Sequence, residues 1–585
     1  MGRFLALALC VTMVPAQVLS ASSSRVSINS IEWVFDREYT TGTFANGDPW
    51  VVGPVVITEI LPRASGGHHG WEVNPEFHGD QAFDSRVGEY DSRLCPGLPY
   101  RAQPGESIVK AVSRSLSDSY PRPALGRAAV LTVLAEVPPD NGASVFRPPY
   151  VGDEKPLIPV SRLRTDLLPS LPKVDPRPTL EWVHDRYHKV QLDHKGGRVG
   201  RYLHPSEHMP NYGGDIGRDN GSGALRLMLD DPLEEKMPAL IAYVQYGIDL
   251  YYMVKIGHVW PAGGGHRPGQ KLPISFAAVL LDDEDMKDVV RYADVFHEDH
   301  GTFTGEGSGV SIYGFGGRDE ESYWRVLVSG LDGSPSGNKS IADPYGYIDG
   351  GPRPGQNYQY CCTSQPWKGS VIACYLMPQM KELWLDPGVF EYTERYVNFG
   401  LWTQPDPCAP ADNNWSNYGV TFGPDGRGGC IKDTNPRDGI GRFPQLHGTQ
   451  ADEGGRYSHF QAAMWDAYRD TYRDGSGGAV STLKTPSTGK RALLTARGIQ
   501  AHITVVEKGI QVAYTLTERN PLVVTVHDLS GRQLFTRSYE LDEARLDGTI
   551  VCPLTSRDGA PLTGACCVTV KSGSSRVSRV LTLQR

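Results

Sequence analysis

The residues best equipped for chemistry gather in one loop. Between Tyr251 and Asp283 the chain reads YYMVKIGHVWPAGGGHRPGQKLPISFAAVLLDD, two apolar stretches flanking a glycine-rich segment that carries His258, Trp260, His266, Arg267 and Lys271. Histidine titrates near neutral pH, and arginine recognises carboxylates through a planar fork of donors. Gly263, Gly264 and Gly265 open backbone angles closed to other residues, so the chain can pass close to a ligand there. Similar groups precede the loop (His204, His208, Asn211, Tyr212, Arg218, Asn220) and follow it (Tyr313, Arg353, Tyr358, Tyr360). Together they offer donors that bind carboxylates and side chains, His266 among them, that move protons. The competing reading is an ordinary helix connection whose His and Arg cap carbonyls.

Positioning such a loop requires rigid arms. In LEEKMPALIAYVQYGIDLYYMVKIG the apolar residues Met237, Leu240, Ile241, Val244, Ile248, Tyr251 and Tyr252 recur every three or four positions, which predicts a helix over Leu233 to Gly257. KLPISFAAVLL, ESYWRVLVSGL, SVIACYLMPQMKELW, FEYTERYVNF and YSHFQAAMWDAYRDTYR carry similar stripes. Helices joined by long Gly/Pro loops over residues 179–474 lead us to expect an (α/α) toroid or barrel. Upstream, SINSIEWVF, PWVVGPVVITEIL, ESIVKAVS and RAAVLTVLAEV are strand-like, and Asn-Gly-Asp at Asn46 to Asp48 marks a turn. Residues 25–140 therefore read as an N-terminal β-sandwich, and the Pro-rich residues 141–178 as a linker. After a Gly/Ser/Thr break over residues 475–497, strands return in residues 498–585 as an Ig-like β-sandwich. The fold class is multidomain α+β.

Residues 1–21 read as a secretory signal: Arg3, the apolar run Phe4 to Val14, and small residues from Ser20. No later run is long and apolar enough for a membrane span. The net charge of −9 argues against nonspecific nucleic-acid binding. Ten cysteines fit an oxidising compartment, and loss of Cys10 with the leader leaves an odd number. Cys408 with Cys430 is the leading disulfide pairing and Cys552 with Cys566 or Cys567 the second; for Cys361 and Cys362 a vicinal bridge, separate pairings and burial of one beside Cys374 all stand open. A secreted or cell-surface bacterial protein is expected.

Two resemblances sharpen these expectations. VVTVHDLSGRQL, DGAPLTGACCVTV and VSRVLTL resemble the type A sorting domain that follows secreted bacterial enzymes, which implies delivery by an export machinery acting on the C-terminal domain. YGGDIGRDNGSGAL, the central loop and YQYCCTSQPWKGSVIACYLM resemble the α/α-toroid polysaccharide lyases of the glucuronan and alginate lyase type. That resemblance implies an acidic polysaccharide substrate cut by β-elimination. His266, Arg267, Tyr358 and Tyr360 would be the catalytic group, with Asn211, Tyr212, Arg218, Asn220, His258, Trp260, Lys271, Tyr313 and Arg353 binding substrate. No metal ligand set and no cofactor is expected, with structural calcium left open.

Two rivals stand beside the lyase. A glycoside hydrolase on the same scaffold needs two carboxylates across a cleft, for which Asp215, Asp219, Glu298, Asp299 and Glu306 are candidates. A noncatalytic glycan-binding protein needs only exposed aromatics, such as Trp71, Trp260, Trp367, Trp402 and Trp415. HEDH (His297 to His300) has metal-ligand residue types, but capping at a helix end explains it better. GEGSG (Gly305 to Gly309) lacks the Lys-Ser/Thr of a phosphate loop.

Overall fold

The computed structural model describes residues 21–77, 80–119, 121–260, 265, 267–304, 311–313, 362–399, 421–424, 430–432 and 456–473, and most of the strands between 494 and 583. The signal segment, His266, Arg353, Tyr358, Tyr360, the ESYWRVLVSGL stretch, Glu306, Trp402 and Trp415 lie outside the described residues. The chain is mixed α and β and divides into two compact units.

The larger unit begins with an eight-stranded sheet: β1 (Ala21–Ile28), β2 (Ile31–Thr43), β3 (Pro49–Val52), β4 (Val55–Leu61), β5 (Trp71–Val73), β6 (Tyr100–Ala102), β7 (Ser107–Ser113) and β8 (Leu125–Leu134). The order is β5-β7-β8-β3-β2-β4-β6 with β1 also on β2, and the β3–β8 pair is the parallel one. β2 alternates as the sequence requires: Ile31, Trp33 and Phe35 are buried while Glu32 and Val34 are partly exposed. These residues join Val51, Ile57, Trp71, Ile108 and Leu131 in one core, so a single curled sheet stands where two packed sheets were expected. The Asn46–Asp48 turn closes as predicted, with Gly47 at φ +90° donating to the Phe44 carbonyl.

The Pro-rich segment that follows is partly buried. Phe146, Arg147, Tyr150 and Val151 lose nearly all contact with solvent. Arg147 donates to Asp48 Oδ2 (2.6 Å) and to Asp249, and so ties the turn before β3 to a helix some two hundred residues downstream.

Helices α1 (Leu180–Tyr187), α2 (Gly197–Leu203), α3 (Gly213–Leu227), α4 (Leu233–Lys255) and α5 (Lys271–Leu280) come next. Thr179 caps α1 by accepting from the Trp182 amide. The stripe read from the sequence forms α4, whose middle, residues 242–251, is buried on every side, as its near-continuous apolar run requires. In α3 the glycines serve close packing. Gly217 meets Gly269 so closely that a Cβ on Gly269 would lie 2.2 Å from the Gly217 Cα. The remaining stripes fold as Ser364–Leu376, Gly388–Phe399 and His459–Tyr472. Among the described residues no helix is long and apolar enough to cross a membrane.

In the smaller unit the C-terminal strands are β9 (Leu494–Ala496), β10 (Ile499–Val506), β11 (Gly509–Leu516), β12 (Leu522–Asp528), β13 (Gln533–Tyr539), β14 (Asp547–Cys552), β15 (Gly564–Ser572) and β16 (Ser575–Leu583). They form two four-stranded antiparallel sheets, ordered β9-β10-β11-β14 and β13-β12-β15-β16. Val512, Val524, Val526, Val568 and Val570 are buried within it.

Candidate active site

The site is built from the short segments around α2 and the loop between α4 and α5. Asp193, fully buried, is its hub. His204 Nε2 lies 2.8 Å from Asp193 Oδ1, while Trp260 Nε1 (3.1 Å) and Gln270 Nε2 (3.2 Å) donate to Oδ2. Arg267 Nη1 stands 3.6 Å from Oδ1, and its Nη2 donates to the Gly197 carbonyl at 3.0 Å. His204 Nδ1 meets the Pro210 carbonyl at 3.1 Å. Both partners of that ring are oxygen acceptors, which hold its plane between the Asp193 carboxylate and the Pro210 carbonyl. Burial alone would raise the Asp193 pKa. The charges of His204 and Arg267 and the hydrogen bond from His204 more than offset it and hold the carboxyl far below its usual range.

His194, beside the hub, is a different kind of histidine. Tyr150 donates its single proton to the Gln191 carbonyl (3.1 Å), so His194 Nδ1, 3.0 Å from the same hydroxyl, must be the donor. That tautomer leaves a lone pair on Nε2, which has no hydrogen-bond partner among the described residues. Burial and the Lys195 charge lower its pKa well below the usual value. His258 packs edge-on against Trp260 (4.6 Å) and Phe77 (5.0 Å), with neither ring nitrogen hydrogen-bonded among the described residues. Burial drops its pKa to about 3, so it is neutral.

One turn along, α2 carries Arg201 to the second half of the site. Arg201 Nε donates to the Asn211 carbonyl (3.0 Å), and its guanidinium lies over the Tyr212 ring at 4.6 Å. Arg456 lies over the same ring at 4.7 Å and pairs with Asp215 at 3.0 Å. Tyr212 is thus held between two guanidiniums at the entry to α3. Burial and the nearby Arg122 and Arg267 charges pull the Arg201 pKa down, the mark of crowded cations. The first turn of α3 also grips the glycine loop, since the Gly214 amide donates to the Gly265 carbonyl at 2.9 Å. A Cβ on Gly265 would sit 2.5 Å from the Tyr212 hydroxyl and 2.5 Å from the Cys362 Cβ. The last glycine of the triplet therefore permits the loop to pass against the tyrosine.

Of the residues picked out by sequence, His204, Arg267, His258, Trp260, Asn211 and Tyr212 meet around α2. The other described ones serve elsewhere. Asn220 accepts from Tyr187 (3.0 Å) and donates to the Gly269 carbonyl (3.1 Å), bracing α3 against α1 and the loop. Arg218 pairs with Asp219 at 2.9 Å, and Lys271 with Asp299. Tyr313 ends a strand, Ser311–Tyr313, paired with Thr302–Thr304. Cys362 is disulfide-bonded, while Cys95 and Cys374 are free thiols.

Asp193, His194, Arg201 and Arg456 were not singled out by the sequence reading. Asp-His-Lys after a helix carries no motif, and Arg456 is some two hundred residues from its partners. HEDH forms the helix His297–His300, and Glu298 accepts from the Gly269 amide at 2.5 Å. Trp71, Trp260 and Trp367 are fully buried, so they offer no face on which a sugar could stack. No protein-family model, curated protein or solved structure matches the chain.

Proposed function

We propose that the protein is a secreted polysaccharide lyase that cleaves a uronic-acid polymer by β-elimination, its helices forming an (α/α) toroid between N- and C-terminal β-domains. The observation that carries the reading is Tyr212 held between Arg201 and Arg456, with Arg267 beside them. β-Elimination needs cations where the uronate carboxylate gains enolate charge and a proton carrier next to them. In this reading the arginines receive the carboxylate and Tyr212 carries the proton to the leaving oxygen. His266, covalently between Gly265 and Arg267, takes the C5 proton. Trp260, Gln270 and His204 fix Asp193, and Asp193 in turn positions Arg267. The leader exports the chain, and residues 498–585 serve as the sorting domain.

A glycoside hydrolase is favoured by one observation: burial raises the Glu298 carboxyl to about 7, the range of a general acid. It lacks a matching second carboxylate among its described neighbours, since Asp299 is paired with Lys271. One experiment separates the two readings. Purified protein is incubated with a panel of polyuronates and glycosaminoglycans and followed by ultraviolet absorbance. A lyase leaves a C4=C5 double bond conjugated to the carboxylate, and a hydrolase leaves none. Tyr212→Phe should lower the rate on the best substrate by about 100-fold or more. Chain cleavage without absorbance, or a Tyr212→Phe variant at full rate, would overturn the assignment.

A further inference from the structure

Away from this site, the last turn of α1 carries a second constellation. His184 and His188 are four residues apart on one face of the helix, their rings stacked at 4.4 Å with planes 3° apart. Ligand-capable atoms of His184, Asp185 and His188 lie within 4.8 Å of one another. We propose that His184, Asp185 and His188 form a binding site for a divalent late transition-metal ion, with zinc as the ion of choice.

Two features support this beyond proximity. The first is the geometry of the rings. His184 Nδ1 lies 3.3 Å from Asp185 Oδ1, the spacing of two ligands on one ion. His188 Nδ1 donates to the His184 carbonyl at 2.9 Å, so the lone pair of that ring is on Nε2. Metal-bound histidines characteristically have this second arrangement, in which the far nitrogen is held by a carbonyl or carboxylate. The second is place. These side chains sit at the C-terminal end of α1, where the helix dipole presents its negative pole and stabilises a cation.

Zinc takes imidazole nitrogen and carboxylate oxygen at about 2.0–2.2 Å and leaves room for water in a tetrahedral shell. Its ligand atoms then stand roughly 3.3 Å apart. Binding must tilt the stacked rings about χ2, a soft torsion for histidine. Both histidines are partly exposed, so the ion can enter from solvent. On the opposite face of α1, Val183 and Tyr187 are buried, and Tyr187 holds Asn220. The ion would thus fasten the exposed face of a helix whose inner face braces the loop before α5.

The test is calorimetric titration of metal-free full-length protein with zinc chloride, wild type against His184→Gln/His188→Gln and Asp185→Asn. The double variant should bind one equivalent fewer, and Asp185→Asn should weaken that equivalent by about 10-fold or more. Circular dichroism of the variants should match the wild type. In wild-type protein, zinc should protect His184 and His188 from diethyl pyrocarbonate, read by peptide mass spectrometry. Equal stoichiometry and affinity in the double variant, no zinc uptake by the wild type, or unprotected His184 and His188 at saturating zinc would each overturn the site.

Discussion

Replacing Arg147 with Met tests the link that joins the sheet to the helices. The guanidinium is fully buried and serves Asp48 Oδ2 (2.6 Å), Asp249 and the Pro148 carbonyl (2.7 Å). Burial opposes its charge, yet the Asp249 and Asp48 carboxylates more than compensate and raise its pKa above the usual value. Methionine fills much of the volume but leaves both carboxylates buried. Asp48 keeps one donor, Asn46 Nδ2 at 2.8 Å; Asp249 Oδ1 has no hydrogen-bond partner among the described residues even with Arg147 in place. Asp249 therefore bears most of the loss. Breaking a buried pair on one side costs about 3–5 kcal/mol, so about 4 kcal/mol is expected at pH 7. The pH dependence follows from Asp249, whose pKa is already raised by burial despite Arg147. Without the arginine it rises further above the unfolded value of about 3.9. A carboxyl raised in this way favours the fold at low pH, and that contribution is lost as pH rises through the folded pKa. The deficit of Arg147→Met should therefore be smaller at pH 5 than at pH 8. Urea unfolding followed by tryptophan fluorescence measures both, and Asp249→Asn in the Arg147→Met background should recover part of the loss. A deficit below about 1 kcal/mol at pH 7, or further damage from Asp249→Asn in that background, would refute the pairing argument.

Other outcomes follow from the same geometry. Gly265→Ala places a Cβ against the Tyr212 hydroxyl and Cys362, and should cost more in turnover on a polyuronate than in stability, read by ultraviolet rate and melting temperature. Glu298 and Glu72 are raised to about 7 by burial, so their contribution is full below about 4.3 and is lost as pH rises through 7. Glu298→Gln should therefore gain stability relative to wild type between pH 5 and pH 8 in urea titrations; a pH-independent difference would contradict the burial argument. Deleting residues 498–585 should leave ultraviolet activity in purified protein largely intact while altering secretion, measured by immunoblot of the medium.

What the sequence determined by itself was local. Period two in SINSIEWVF and period 3.6 in LEEKMPALIAYVQYGIDLYYMVK specify β2 and α4 because side chains on one face must be buried together. The same logic marked the glycine loop as unable to form core, and placed Arg267, His258, Trp260, Asn211 and Tyr212 among its candidates. The tertiary structure decided the partners. Nothing in Asp193 or His204 alone says that one becomes the hub of four polar side chains and the other one of the four, since each environment is set by partners brought in by other segments. Arg456 reaches Tyr212 only because His459–Tyr472 packs against Ser364–Leu376 and α3. Lone polar residues carry no periodicity, and the energy of a buried charge depends on what surrounds it. Charge pairing across long separations is therefore legible only once the chain has closed.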